Sequence, residues 1–162
     1  MYRSVQTKAG VSQPTQLLID MKVRWSSTYI MLNHAETNKE HIDTFIYEIG
    51  RQERDLAKRA KIDFLQLSAG EWTCVGKFAD LLSYADVAQQ AFSTERGSTL
   101  HLAIPALETL HRAWSSRAER SKYAWFATSL QAATAKVDEY YEKTTQSPAY
   151  VMAVCKLLFI IQ

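Results

Sequence analysis

Cysteine is nearly absent from this chain, and its two copies, Cys74 and Cys155, stand far apart without paired spacing. That excludes a disulfide framework and a Cys-x-x-Cys zinc motif, and makes a reducing compartment the default. Glycine is scarce too. Its five copies are isolated from one another, so no glycine-rich loop is available to cradle a phosphate. Met1 to Lys8 lacks the apolar core of a signal peptide. The apolar stretch from Ala149 to Ile161 carries Lys156 and falls short of the ~20 residues a bilayer-crossing helix needs, so it is expected to be a buried segment. Nor is there an excess of one charge. Nineteen Lys and Arg stand against 17 Asp and Glu, for a net charge of +2, which is too mild to indicate nucleic-acid binding unless cations cluster locally. What remains is ordinary globular composition, 47% hydrophobic and 22% charged over 162 residues, enough for one domain with its own core.

Residues 1–16 are polar, with Gly10 and Pro14 as breakers, and are expected to be an irregular lead-in. A single helical domain should then occupy 17–162. Leu17-Leu18-Ile19 is a candidate short extended segment, although three residues do not separate strand from helix. From Ser27 onward the spacing is helical. Tyr29, Leu32, Ala35, Ile42, Phe45, Ile46 and Ile49 make one apolar stripe, on a single helix or on two broken near Asn38. Gly50 is expected to end the run. The charged segment Arg51 to Lys61 follows, readable as a solvated face or as a phosphate-facing patch.

Ser68-Ala69-Gly70-Glu71 is a capping box that should start a helix running to about Ser93. Phe78, Leu81, Ala85, Ala88 and Phe92 would form one face of it, with Trp72, Val75, Ala79 and Leu82 beside them. Gly97-Ser98-Thr99 supplies a break and an N-cap for a helix with Leu100, Ile104, Leu107, His111 and Trp114 in register. Pro105 lies inside that helix and should bend or break it near Ala103 or Ile104. A last long helix should begin between Ser116 and Ser121 on the stripe Tyr123, Phe126, Leu130, Ala133, Val137 and Tyr140, and Ser147-Pro148 should open another. No strand-like alternation of useful length follows residue 20. The fold class is therefore all-α, an irregular bundle of long antiparallel helices in which the one exception is the short N-terminal segment.

Two-metal phosphodiester chemistry needs converging carboxylates, and here the acids are scattered. Asp20 stands alone beside a notable motif and is most simply a cap or ion-pair partner. His34, His41, His101 and His111 lack nearby nucleophiles or further ligands, and His111 completes an apolar stripe as a core-edge histidine. Arg24-Trp25-Ser26-Ser27-Thr28 is different. A guanidinium grips phosphate bidentately, an indole stacks on an exposed base, and hydroxyls with free amides at a helix start favour an anion. The alternative is that Ser26 or Ser27 merely caps the helix while Trp25 packs inside.

Asp20, Arg24, Trp25, Ser26, Ser27, Thr28, Tyr29, Met31 and Leu32, in that order, resemble the Arg-Trp-Asn/Ser-Ser-Thr line of hAT superfamily transposases. Glu71-Trp72, Ser98-Thr99-Leu100 and Lys136-Val137-Asp138-Glu139-Tyr140-Tyr141 resemble later landmarks of that family, so the resemblance covers roughly residues 17–154. In the family, a ribonuclease-H-like core with an Asp-Asp-Glu triad is interrupted by a large helical insertion. The resemblance implies that Trp25 corresponds to a tryptophan stabilising distorted DNA beside the transposon end, with Arg24 next to it.

The catalytic aspartates and glutamate are not matched, a BED-type zinc finger is missing, and Cys155 to Gln162 departs from the family's continuation. A truncated piece is expected. The resemblance thus implies a DNA-binding fragment with Arg24, Trp25, Ser26, Ser27 and Thr28 on DNA. It would be nuclear and without strand-transfer activity, and would need no cofactor, metal, membrane or small-molecule substrate. The competing expectation is a domesticated or decayed protein-interaction module, able to self-associate, with Trp72, Trp114 and Trp125 as anchors.

Overall fold

The computed structural model describes residues 1–21, 25–93, 100–149 and 152. Seven α-helices and no strand occur among them: α1 Tyr2–Lys8, α2 Trp25–Thr37, α3 Lys39–Gln52, α4 Leu56–Asp63, α5 Ala69–Phe92, α6 Leu100–Ala118 and α7 Ala127–Thr145, with a 3-10 helix at Ser121–Phe126. The all-α expectation holds. Leu17 to Asp20 form no strand and leave Ile19 exposed. The chain divides into two compact units, Met1–Asp80 and Leu81–Gln162, with the division inside the span of α5.

In the first unit, the expected irregular lead-in contains α1. Tyr2, Val5 and Gln6 repeat at three and four, and all three are buried, which outweighs the polar residues around them. Gly10 does stop the helix. It takes a positive φ of 82°, while Gly10 N–H donates to Thr7 O at 3.1 Å and Val11 N–H to Gln6 O at 3.0 Å, the paired bonds of a glycine-terminated helix end. α1 lies on α3 through the edge-on rings of Tyr2 and Phe45, 5.4 Å apart. The Lys8–Glu48 ion pair at 3.0 Å adds to that contact.

Gln6 is the most enclosed side chain described, at 1% exposure, and a polar group placed there must be paired. Its Oε1 accepts from Thr15 N–H at 2.8 Å and its Nε2 donates to Asn38 Oδ1 at 3.1 Å. Asn38 in turn donates to His34 O at 2.9 Å. Burial pushes the Tyr2 phenol above its usual pKa, against the lowering effect of its hydrogen bond with Gln6.

Asn38 separates α2 from α3, where the break was expected. Tyr29, Leu32, Ala35, Ile42, Phe45, Ile46 and Ile49 are all half-buried, whereas Ile30 and Tyr47, off the stripe, are exposed. Gly50 does not end the run. It is buried inside α3, and a Cβ there would come 2.6 Å from Asp63 Oδ1 and 3.7 Å from Ile62 Cγ2, so it marks the close crossing of α3 and α4. The capping box forms as expected, with Glu71 N–H donating to Ser68 Oγ at 3.3 Å and Ser68 N–H to Glu71 Oε2 at 2.8 Å. The bond from the Ser68 amide, followed by that from its hydroxyl, holds the Glu71 carboxyl below its ordinary pKa.

In the second unit, α6 and α7 run antiparallel, since Glu108 meets Tyr141 and His111 meets Asp138. Their core consists of Leu81 with Tyr123 and Leu130, and of Ala88 with Leu110 and Val137. α6 passes through Pro105 unbroken. Its most buried residues, Ala103 and Leu110, lie beside the expected stripe rather than on it. The final helix opens with the 3-10 turn, which buries Tyr123. The α7 stripe then drifts from Val137 to Thr144, leaving Tyr140 52% exposed. Phe78, assigned from the sequence to a buried face of α5, is likewise exposed. The cap expected at Gly97-Ser98-Thr99 lies outside the described residues. After Ser147, Pro148, Ala149 and Met152 are helical, and the remaining residues up to Gln162 fall outside the description.

Candidate nucleic-acid interface

The start of α2 is built around one carboxylate. Asp20 Oδ1 accepts from Ser27 Oγ at 2.6 Å and from Thr28 Oγ1 at 3.0 Å. Ser27 Oγ also lies 2.8 Å from Met21 O and accepts from Met21 N–H at 3.0 Å. A hydroxyl has one proton, and a carboxylate is its stronger acceptor. The chain before α2 is thereby tied back onto the helix's first turn. Of the five residues expected on DNA, Ser27 and Thr28 thus have their hydroxyls engaged by Asp20. Ser26 is half-buried, with an enclosed Oγ that has no hydrogen-bond partner among the described residues. Trp25 contributes the first backbone turn of α2. Its side chain, and Arg24 altogether, lie outside the described residues.

The charged segment from Arg51 resolves into the last turn of α3, a short connector and α4. Its acids are occupied locally. Glu53 Oε1 accepts from Asp55 N–H at 3.0 Å, and Asp55 Oδ1 caps α4 by accepting from Ala57 N–H at 2.8 Å and Lys58 N–H at 3.3 Å. Asp63 pairs loosely with Arg59 at 3.9 Å. Arg51, Arg54, Lys58 and Lys61 are exposed and make no ion pair among the described residues.

The other cationic run, from Arg112 to Lys122, is used within its own unit. The Arg117 guanidinium stacks 4.1 Å above the Tyr84 ring and donates to the Tyr84 hydroxyl. Arg120 donates to Ser116 Oγ at 3.3 Å. Lys122 sits 5.0 Å from the Tyr123 ring centre. Sequence reasoning missed a cleft of about 610 Å³ between α6 and α7, lined by Glu108, His111, Arg112, Glu119, Asp138 and Tyr141 among others. The helical spacing of 108, 111, 112, 115 and 119 was the signal available. His111 Nε2 lies 3.1 Å from Asp138 Oδ1 there. No group of His, Cys, Asp and Glu able to hold a metal occurs among the described residues, and no described helix is long and apolar enough to cross a membrane.

The three tryptophans expected as interaction anchors have separate fates. Trp114 is packed against both core clusters and donates from Nε1 to Leu81 O at 3.0 Å. Trp72 is half-buried, its Nε1 enclosed without a partner among the described residues. Trp125, in the 3-10 turn, is 94% exposed.

Residues 1–80 match the family model of the ZBED1 RNase-like helical domain, a region of the hAT-like transposase and ZBED family. The matched stretch has the same bounds as the first compact unit. No curated protein and no solved structure matches the chain.

Proposed function

We propose that residues 1–80 are the DNA-contacting helical part of a transposase-related protein of the hAT type, acting in the nucleus, and that the chain has no strand-transfer activity of its own. The observation that carries this reading is the family match over the first unit, whose α2 begins at Trp25. Asp20 adds a physical reason. It accepts from the Ser27 and Thr28 hydroxyls and so ties the chain at residue 20 to the first turn of α2, the turn that Trp25 opens. In this reading Ser27 and Thr28 hold Asp20 at the helix start, while Arg24 and Trp25 make the contact. No cofactor is invoked, because base stacking and phosphate pairing need none.

The test is binding of the full chain to a DNA hairpin and to plain duplex of the same length. Trp25→Ala should weaken hairpin binding about tenfold, the loss of one base stack, and duplex binding much less. Equal affinities for the two DNAs before and after the change would remove the role of Trp25.

A second reading, a protein-interaction module, is favoured by Trp125 alone. An indole 94% exposed on a short turn is the residue type that anchors interfaces. A dimer in light scattering that Trp125→Ala dissolves, together with no salt-sensitive DNA affinity, would support it over the first.

A further inference from the structure

We infer that the corner formed by the end of α3 and α4 is a second nucleic-acid surface of the first unit, one that takes single-stranded backbone and stacks a base on Phe64. The inference deepens the DNA-binding reading and rests on it, but it uses residues that the resemblance at Arg24-Trp25 does not involve.

Charge is the first ground. Four cations, Arg51, Arg54, Lys58 and Lys61, stand exposed without an ion pair among the described residues. The nearby acids are committed to a cap, to a connector amide and to Arg59. An ordinary solvated helix face intersperses its charges as pairs at i and i+4, and here the positive members are left over.

Placement is the second. Phe64 closes α4 with φ −68° and ψ −14°, so the helical register continues through it. Lys58, Lys61 and Phe64 therefore form one i, i+3, i+6 row along the helix surface. Ile62, nearly opposite Phe64 around the helix, lies toward Gly50 and is half-buried. That contact seats α4 on α3 and leaves Phe64 on the outer side.

Exposure is the third. Phe64 is 89% exposed, and nothing among the described residues covers it. Single-strand binders join a cationic track to aromatic faces on which bases stack, and they tolerate any sequence because every base has such a face. A lipid surface would also accept Leu56 and Leu65, 80% and 62% exposed. However, α4 is only eight residues long, about 12 Å of helix, and its exposed apolar groups, Leu56 at one end and Phe64 and Leu65 at the other, do not form the broad face of an interfacial helix. The row of cations leading to one ring fits a strand of phosphates better.

The experiment measures binding of oligothymidylate of about 15 nucleotides, within the usual site size, to the full chain across a salt series, with circular dichroism as the control for folding. Phe64→Ala should weaken binding about tenfold at every salt concentration. The double variant Lys58→Gln, Lys61→Gln should make the log–log salt slope shallower by about 1.4, at roughly 0.7 for each phosphate that is no longer neutralised. Unchanged affinity and slope in both variants would overturn the inference. So would Phe64-dependent binding to phosphatidylcholine–phosphatidylserine vesicles with oligonucleotide binding unaffected. Trp25→Ala separates this surface from the one at the start of α2. If only Trp25→Ala acts, and acts on hairpins, the DNA reading stands and this surface does not. If only the α4 variants act, the strand-binding surface stands and the hairpin role falls.

Discussion

Among the described residues of Leu81–Gln162 the buried side chains are apolar, Leu81, Ala88, Ala103, Leu110, Tyr123, Leu130 and Val137, with Thr144 as the exception, whereas in Met1–Asp80 the most enclosed is an amide, Gln6. The second unit closes a conventional core between α6 and α7. The first is held in large part by directional bonds: Gln6 to Thr15 and Asn38, Asp20 to Ser27 and Thr28, Ser68 to Glu71. A buried leucine contributes about 1.5–3 kcal/mol and a typical internal hydrogen bond a net 0.5–1.5. Polar stitching is thus the weaker device per residue, but it fixes geometry while leaving apolar groups outside. Leu18, Ile19, Met21, Ile30, Leu56, Phe64 and Leu65 are all exposed in the first unit. The second unit also exposes Val87, Trp125 and Met152, so the contrast lies in what fixes each unit rather than in exposure.

The sharpest way to break this contrast is Leu130→Ala. A buried leucine cut to alanine should cost about 3 kcal/mol, read as lowered amide-exchange protection in α6 and α7. A loss below about 1 kcal/mol would mean that the second unit does not depend on its apolar core. Gln6→Leu should cost about 1–2 kcal/mol, because it keeps the bulk while stranding the Thr15 amide and the Asn38 carbonyl oxygen, and exchange at Val11 and Thr15 reports it. Greater stability in this variant would mean that the amide is replaceable by oil and that the comparison fails.

The smallest effect lies on the surface of α7. Hydrogen bonds from Lys136 at 2.5 Å and Lys143 at 2.6 Å push the Glu139 carboxyl down to about 2. Because that pKa lies below its value of 4.5 in the absence of such partners, the pairing stabilises the helix above about pH 4.5. The contribution fades as the pH falls toward 2. NMR titration should place the Glu139 midpoint well below those of the other glutamates, and Lys136→Gln should raise it. At an exposed site the accompanying change in stability is small.

Helices with strong periodicity or a self-contained cap were legible in the sequence: the α2–α3 break at Asn38, the capping box of α5, and the stripe through Leu130 and Val137. What escaped was settled by groups distant in sequence. Gly50 has the appearance of a helix stop, and only the approach of Asp63 and Ile62 shows why a residue without a side chain is needed inside α3. α1 was hidden by its polar composition, since a glutamine at a core position becomes intelligible only when Thr15 and Asn38 arrive to meet it. On α6 the buried positions are Ala103 and Leu110, and the small Ala103 is one that hydrophobicity alone does not single out. Of the candidate site, Asp20 reads in the sequence as a cap or ion-pair partner, and the structure makes it the acceptor for the Ser27 and Thr28 hydroxyls. The exposure of Phe64 and the unpaired state of Lys58 and Lys61 depend on what α3 leaves uncovered, which no local pattern states.

The bonds at Gln6 run in one direction: the Thr15 N–H donates to Gln6 Oε1, Gln6 Nε2 donates to Asn38 Oδ1, and Asn38 Nδ2 donates to the His34 carbonyl. That direction restricts what position 6 can be. Glutamate would set two oxygens against the oxygen of Asn38, lysine would have nothing to offer the Thr15 amide, and asparagine is one carbon too short to reach both. Position 6 in α1, seven residues that sequence composition would dismiss as a tail, should therefore accept few polar replacements, and random mutagenesis scored for folded protein should find Glu, Lys and Asn depleted there.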